Sequence, residues 1–154
     1  MILPGFPVML GGGGKPPFAF SGSWETGDEG WSRTNVNYLN NPANSRTGSY
    51  CFVVTGVAGA NAEYIIPPEV AGGMSIAVSV WHRAVSGSVH REIQYKIGSG
   101  SFVTLATVTD ASTSYAEMSN SFSNPDEDQV TIRIISPSNN SFIVDDWSIS
   151  GTPL

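Results

Sequence analysis

Charge, and positive charge above all, is what this 154-residue sequence has least of. Charged residues make up only 13% of it, about half the usual share. Two lysines and five arginines stand against 13 acidic residues, so the net charge is −6. Because no basic stripe is present to neutralise phosphates, we expect no nucleic-acid partner and no attraction to an anionic membrane surface.

Cysteine and long apolar runs are also scarce. Cys51 is the single cysteine, so neither an internal disulfide nor a thiolate metal cluster is available. No run of 18 apolar residues exists, which predicts no membrane insertion. The apolar segment 1–10 lacks a positively charged start, carries Pro4 and Pro7 and runs into four glycines. We therefore expect no signal peptide here.

The sequence motifs of several enzyme classes are missing as well. No G-x-S-x-G or H-E-x-x-H occurs, and Lys15 is followed by Pro16 rather than by the Ser or Thr of a phosphate-binding loop. Only two histidines are present, His82 and His90. Acidic residues do occur in pairs, but a small sandwich leaves little room for the deep cleft of a glycosidase. We expect a protein that is not an enzyme.

Branched residues dominate what is there. Val and Ile number 25 against 5 Leu, a bias that favours strands over helical bundles. Apolar runs and turn residues alternate at short spacing and predict strands near residues 50–55, 62–66, 74–84, 91–97, 102–109, 115–122, 129–135 and 141–150. The expected fold is all-β: a two-sheet antiparallel jelly-roll sandwich of about eight strands, with no helix. An extended N-terminal arm, residues 1–17, precedes the body, residues 18–154.

Alternation along two of these strands predicts which side chains face the core. In 74–84 the even-numbered residues, His82 among them, share one face and so predict a core histidine. Trp81 and Arg83 lie on the opposite face. In 141–150 the same rule puts Asp146 on the face of Val144 and opposite Trp147.

Three stretches in order carry a resemblance to a known group. They are SGSWETGDEGW (21–31), NSRTGSYCFVVTG (44–56) and VTIRIISPSNNSFIVDDWSISG (130–151). They resemble the opening, second-strand and closing segments of galactose-binding-like jelly rolls, the group to which many carbohydrate-binding modules belong. The resemblance implies a structural Ca²⁺ near the joined chain ends, and the matching positions are Glu25, Asp28, Asp145 and Asp146. The alternative is that Asp145 and Asp146 simply alternate, one outward and one capping a loop. No cofactor is otherwise expected.

Sugar binding would need exposed aromatic faces with polar partners beside them. The candidates are Trp31, Tyr38, Trp81, Tyr95 and Trp147. Trp31, Tyr38 and Trp81 are preferred, with Arg83 next to Trp81 on its strand. Each of these aromatics is as readily explained by burial in the core. They support one interpretation of the function, a carbohydrate-binding module that recognises glycans.

The arm supports a different and preferred interpretation. Its apolar residues would bury against a neighbouring subunit as an anchor: Ile2, Leu3, Phe6, Val8, Met9 and Leu10. Small phage virion proteins often begin in a similar way, which implies a structural protein of the virion. It would be a capsid decoration or cement protein, or a head or tail accessory protein. Expected partners are capsid or tail proteins and copies of itself, as a trimer, with a host glycan as a further ligand. The expected location is the virion, with an extracellular location as the alternative.

Overall fold

The computed structural model describes residues 14–154, which form one β-sandwich. These residues contain eleven strands and one short helix: β1 Phe18–Gly22, β2 Ser32–Thr34, β3 Val36–Asn40, β4 Tyr50–Val54, β5 Asn61–Ile66, α1 Pro68–Ala71, β6 Met74–Ala84, β7 Val89–Ile97, β8 Val103–Asp110, β9 Ala116–Asn124, β10 Val130–Ile135 and β11 Phe142–Pro153. Within this range no helix is long and apolar enough to cross a membrane.

Two antiparallel sheets make up the sandwich. The six-stranded sheet has the order β3-β4-β11-β6-β9, and β1 pairs with the second half of β11. The five-stranded sheet has the order β2-β5-β10-β7-β8. Branched residues alternate along the central strands and meet between the sheets, where they exclude water. The predicted all-β jelly-roll sandwich is confirmed.

One end of the core is aromatic. The ring of Trp24 stacks on Phe52 with centroids 4.4 Å apart, and Trp31 meets Trp147 edge-on at 5.4 Å. The exposed fractions of Trp24, Trp31 and Trp147 are 0%, 3% and 5%. These three tryptophans are therefore part of the hydrophobic core.

The long strand β6 confirms the predicted alternation. Its even-numbered side chains are buried and its odd-numbered ones lie on the outer face of the six-stranded sheet. His82 is inside, 1% exposed, whereas Trp81 and Arg83 are outside.

The predicted alternation in β11 is wrong beyond Asp145. A β-bulge interrupts the pairing with β6 between Asp145 and Trp147, and Asp146 adopts a positive φ of 50°. The extra residue shifts the pattern by one, so Trp147 turns into the core. Strict alternation predicts that Trp147 and Val144 lie on opposite faces of the sheet, but both are buried in the core.

The described residues form eleven strands rather than the expected eight or so, because the sequence pattern did not predict three of them. β1, β2 and β3 are three to five residues long. All three residues of β2 are exposed, so it has no apolar pattern to detect. The expectation of no helix fails at α1, a single turn that begins at Pro68 with Pro67 as its N-cap, since proline favours the first helical turn.

A charged cluster lies between β6, β7 and β8, where Arg91 and His82 are buried and Asp110 is half-exposed. Arg91 on β7 is 0% exposed and pairs with Asp110 on β8. His82 faces this pair from the other sheet, and in the described structure neither ring nitrogen has a hydrogen-bond partner. Burial, with repulsion from Arg91, lowers the pKa of His82 to about 4, although Asp110 partly opposes the shift. His82 is therefore neutral at ordinary pH.

Candidate functional site

Trp81 is the one tryptophan of the chain that reaches the surface. The sequence has four, all of them in the described range, and the other three are buried. Trp81 lies at an odd position of β6, which places its indole on the outer face of the six-stranded sheet. A partly exposed indole on a sheet face gives a sugar ring a flat apolar surface on which to stack.

Two depressions extend across this outer face. One has a volume of about 240 Å³ and is lined by Ser79, Trp81, Glu117, Asp146, Trp147 and Ser148. The other, about 260 Å³, is lined mainly by small side chains on β6, β9 and β11. Ser79 and Ser148 line both, so we name the two together the Trp81 groove. From Trp81 to Ala77 it follows β6 for roughly 13 Å at about 3.3 Å per residue.

Carboxylates flank the groove on either side of Trp81. Glu117 on β9 is exposed and accepts a hydrogen bond from the Ser79 hydroxyl. Asp146 on β11 is brought to this face by the bulge. Carboxylate oxygens accept hydrogen bonds, so hydroxyl donors on a sugar ring find partners at both edges of the indole.

A loop between β3 and β4 reaches over the same face. Arg46 in this loop places its guanidinium carbon 3.7 Å from the centre of the Trp81 ring. Its side chain forms an ion pair with Asp146, and Thr47 Oγ1 donates to the other oxygen of that carboxylate at 2.6 Å. In this conformation Arg46 covers the face of Trp81.

The loop itself is fixed by a buried carboxylate. Asp145 is 0% exposed and its Oδ2 accepts the backbone N–H groups of Arg46, at 2.6 Å, and Thr47, at 3.0 Å. Its Oδ1 accepts the N–H of Asp146 at 2.8 Å. Desolvation nevertheless raises the pKa of Asp145 to about 6. Asp145 thus holds the loop backbone from beneath.

Arg83 closes one end of this face. Its Nη2 donates to Asn44 Oδ1 at 2.7 Å, and its guanidinium lies 5.5 Å from the Tyr115 ring. The Tyr115 hydroxyl donates to the Asn44 carbonyl at 2.6 Å, and burial raises the pKa of Tyr115 well above its ordinary value. Arg83 therefore joins two loops beside Trp81.

The other two preferred aromatic candidates lie elsewhere. Trp31 is buried against Trp147 and offers no face to solvent. Tyr38 on β3 stacks on Tyr50 with centroids 4.9 Å apart and packs edge-on against Phe52, on the inner side of the sheet edge. The fold thus brings Trp81 and Arg83 together and leaves Trp31 and Tyr38 apart from them.

The four carboxylates expected to hold Ca²⁺ do not converge. Asp28 pairs with Arg33, and Asp146 is taken up by Arg46 and Thr47. Glu25 and Asp145 do approach the same loop, but each accepts backbone N–H groups there. In residues 14–154 no three His, Cys, Asp or Glu side chains form a metal-binding group. This arrangement does not fit a cation that takes six to eight oxygen ligands, and calcium binding stays a prediction.

Three residues in or over the groove were not predicted from the sequence to belong to a glycan site. Glu117 shares its strand face with Ser119 and Ser121, so the alternation of β9 could have found it. Asp146 reaches the outer face only because of the bulge, and Arg46 is 35 positions from Trp81 along the chain. No local sequence pattern therefore places either residue beside Trp81. The predicted anchor residues Ile2, Leu3, Phe6, Val8, Met9 and Leu10 lie outside the described residues.

Solved structures of known proteins share the fold of this chain, but no sequence comparison assigns it to a family. No protein-family model matches the chain, and no curated protein sequence matches it. Solved structures do match. A CBM22-1 xylan-binding domain from Paenibacillus barcinonensis Xyn10C superposes with a TM-score of 0.76 at 13% identity, covering 92% of this chain and 99% of that domain.

Two further structures extend the likeness. The CBM22-1 and GH10 modules of Clostridium thermocellum xylanase 10B, complexed with xylohexaose, give a TM-score of 0.73 at 18% identity. That match covers 86% of this chain but only 28% of the longer chain. A CBM35 from Cellvibrio japonicus Abf62 gives 0.64 at 15% identity, covering 86% of this chain and 92% of that one. The chain therefore has the fold of carbohydrate-binding modules.

Proposed function

We propose that this protein is a non-catalytic glycan-binding module and that the Trp81 groove is its binding site. One observation carries the proposal: the chain's single surface tryptophan lies in a groove lined by hydroxyl and carboxylate side chains. An apolar ring face with hydrogen-bond acceptors at its edges is complementary to a pyranose, which has C–H groups on its faces and hydroxyls at its rim.

The shape of the groove favours a chain over a single sugar. The two depressions adjoin at Ser79 and Ser148, and small side chains such as Ala77 line the face beyond Trp81. A groove of this kind suits successive rings of a linear polysaccharide. We propose a β-1,4-linked polysaccharide such as xylan, and the likeness to xylan-binding domains supports that choice.

Affinity electrophoresis in gels that contain soluble polysaccharides tests the proposal. Trp81→Ala removes the stacking surface, and Phe102→Ala is the matched control. Phe102 is an aromatic residue against the outer face of the opposite sheet, where it contacts Arg133 at 3.5 Å. We expect xylan to retard the wild type and Phe102→Ala equally, and to leave Trp81→Ala unretarded. Equal retardation of all three proteins would exclude the Trp81 groove as the site.

The virion interpretation remains a separate prediction about residues 1–17. Attachment to a capsid or tail depends on this arm, and residues 1–13 lie outside the described structure. Assembly into a trimer and location in the virion also stay predictions. No feature of residues 14–154 favours a virion role over glycan binding. The two roles are compatible, because a virion protein can also bind host glycans.

A further inference from the structure

The indole of Trp81 is already occupied in this structure. The guanidinium carbon of Arg46 lies 3.7 Å from the ring centre, which is the contact distance between stacked groups. No sugar ring fits between the two. A ring that stacks on this face of Trp81 must therefore take the position that Arg46 holds.

Backbone and side chain of Arg46 are held by different groups. The backbone N–H donates to buried Asp145, which lies beneath the loop as the cross-strand neighbour of Trp81. The side chain is held by the indole and by Asp146, at the surface, where the two paired side chains are 33% and 20% exposed. The side chain can thus swing outward by rotating its own torsions while the loop backbone stays fixed.

We infer that Arg46 is a displaceable cover of the glycan site, an inference that rests on the function proposed above. Without ligand, the guanidinium stacks on Trp81 and pairs with Asp146. When a sugar ring binds, Arg46 swings out, the ring takes its position on the indole, and the Asp146 carboxylate accepts hydrogen bonds from sugar hydroxyls instead. Because Arg46 must first be displaced, the cover lowers the affinity for a glycan. Because the Asp146 carboxylate is then free to accept hydrogen bonds, the site favours an uncharged ring that donates them.

The cost of displacement sets the size of the effect. Exposed ion pairs and exposed cation–π contacts are individually weak, and together they correspond to about a threefold to tenfold change in affinity. Salt screens the pair of Arg46 with Asp146, so it lowers this cost. Binding of an uncharged oligosaccharide to the wild type is therefore expected to strengthen as salt is added.

The first arm of the test needs no ligand. Acrylamide quenches the fluorescence of exposed tryptophans, and in this protein the accessible fraction reports on Trp81. We expect Arg46→Ala to be quenched more strongly than the wild type. Arg33→Ala is the matched control, because Arg33 also forms an ion pair, with Asp28, and lies over aromatic rings, but none of them is tryptophan. Quenching of Arg46→Ala equal to that of Arg33→Ala would overturn the inference.

The second arm measures binding of xylohexaose by calorimetry at low and high NaCl. We expect Arg46→Ala to bind about three to ten times more tightly than the wild type at low salt and to show no gain with added salt. Weaker binding by Arg46→Ala would mean that Arg46 contacts the sugar, and would overturn the cover. Absence of binding in wild type and variant alike counts against the proposed function, whereas the quenching result judges the cover independently.

Discussion

Replacement of His82 by methionine tests the charged cluster of His82, Arg91 and Asp110 through the pH dependence of stability. His82 is 1% exposed and its pKa is lowered to about 4, by burial first and by Arg91 second. In the unfolded chain its pKa returns to about 6.5. The folded protein therefore binds fewer protons than the unfolded chain between these two pH values, and its free energy of unfolding falls as the pH is lowered.

The size of the effect follows from the shift. Each unit of pKa difference corresponds to 1.36 kcal/mol, so His82 removes about 3 kcal/mol of stability between pH 7 and pH 4. Above about pH 7.5 its contribution is nearly constant. Asp145 acts in the opposite direction, since its raised pKa of about 6 means that the folded state holds a proton more tightly than the unfolded chain. In the wild type the two effects oppose each other.

A comparison of the wild type with His82→Met separates the effect of His82 from that of Asp145, because both proteins contain Asp145. Urea unfolding followed by tryptophan fluorescence gives the free energy of unfolding at pH 4, 5, 6 and 7. We expect the stability of the variant relative to the wild type to rise by about 3 kcal/mol as the pH falls from 7 to 4. A difference that is constant over this range would refute the argument that His82 is buried and neutral.

Three further predictions concern calcium, the arm and the single thiol. Melting temperatures in CaCl₂ and in EDTA test the calcium prediction: a rise with calcium that Glu25→Gln abolishes would confirm it, and equal melting temperatures, which the separate positions of the four carboxylates favour, would contradict it. Deletion of residues 1–17 removes the ion pair of Lys15 with Glu127 and the hydrogen bond from Lys15 Nζ to the Pro68 carbonyl, so the free energy of unfolding should fall by no more than about 2 kcal/mol. A larger loss would contradict the division into arm and body. Cys51 is 0% exposed, and burial raises the pKa of its thiol, so a disulfide reagent should label it at the rate of unfolding; immediate labelling of folded protein would contradict this burial.

The sequence predicted the long central strands well because their pattern is local. β6 alternates over eleven residues, and period-2 alternation of that length is the clearest signal of a half-buried strand. The same pattern placed Trp81 and Arg83 together on the outer face and His82 inside. The part of the groove that lies along β6 was therefore predictable.

The rest of the groove depends on contacts that no local pattern encodes. The bulge at Asp146 adds one residue to β11 and reverses the alternation after it, and aspartate at positive φ gives no distinctive sequence signal. Arg46 reaches Trp81 only because Asp145, 99 positions away along the chain, holds the loop backbone. Trp31 resembles an exposed aromatic in sequence and is buried because three other aromatic rings surround it.

Calorimetric titration of the full chain with xylohexaose, for the wild type, Trp81→Ala and Phe102→Ala, tests the central claim most directly. The account predicts that the wild type and Phe102→Ala bind with the same affinity. It also predicts that Trp81→Ala binds at least about tenfold more weakly, a loss of about 1.4 kcal/mol. Undiminished binding by a Trp81→Ala variant that melts like the wild type would contradict the assignment of the glycan site to the outer face of the six-stranded sheet.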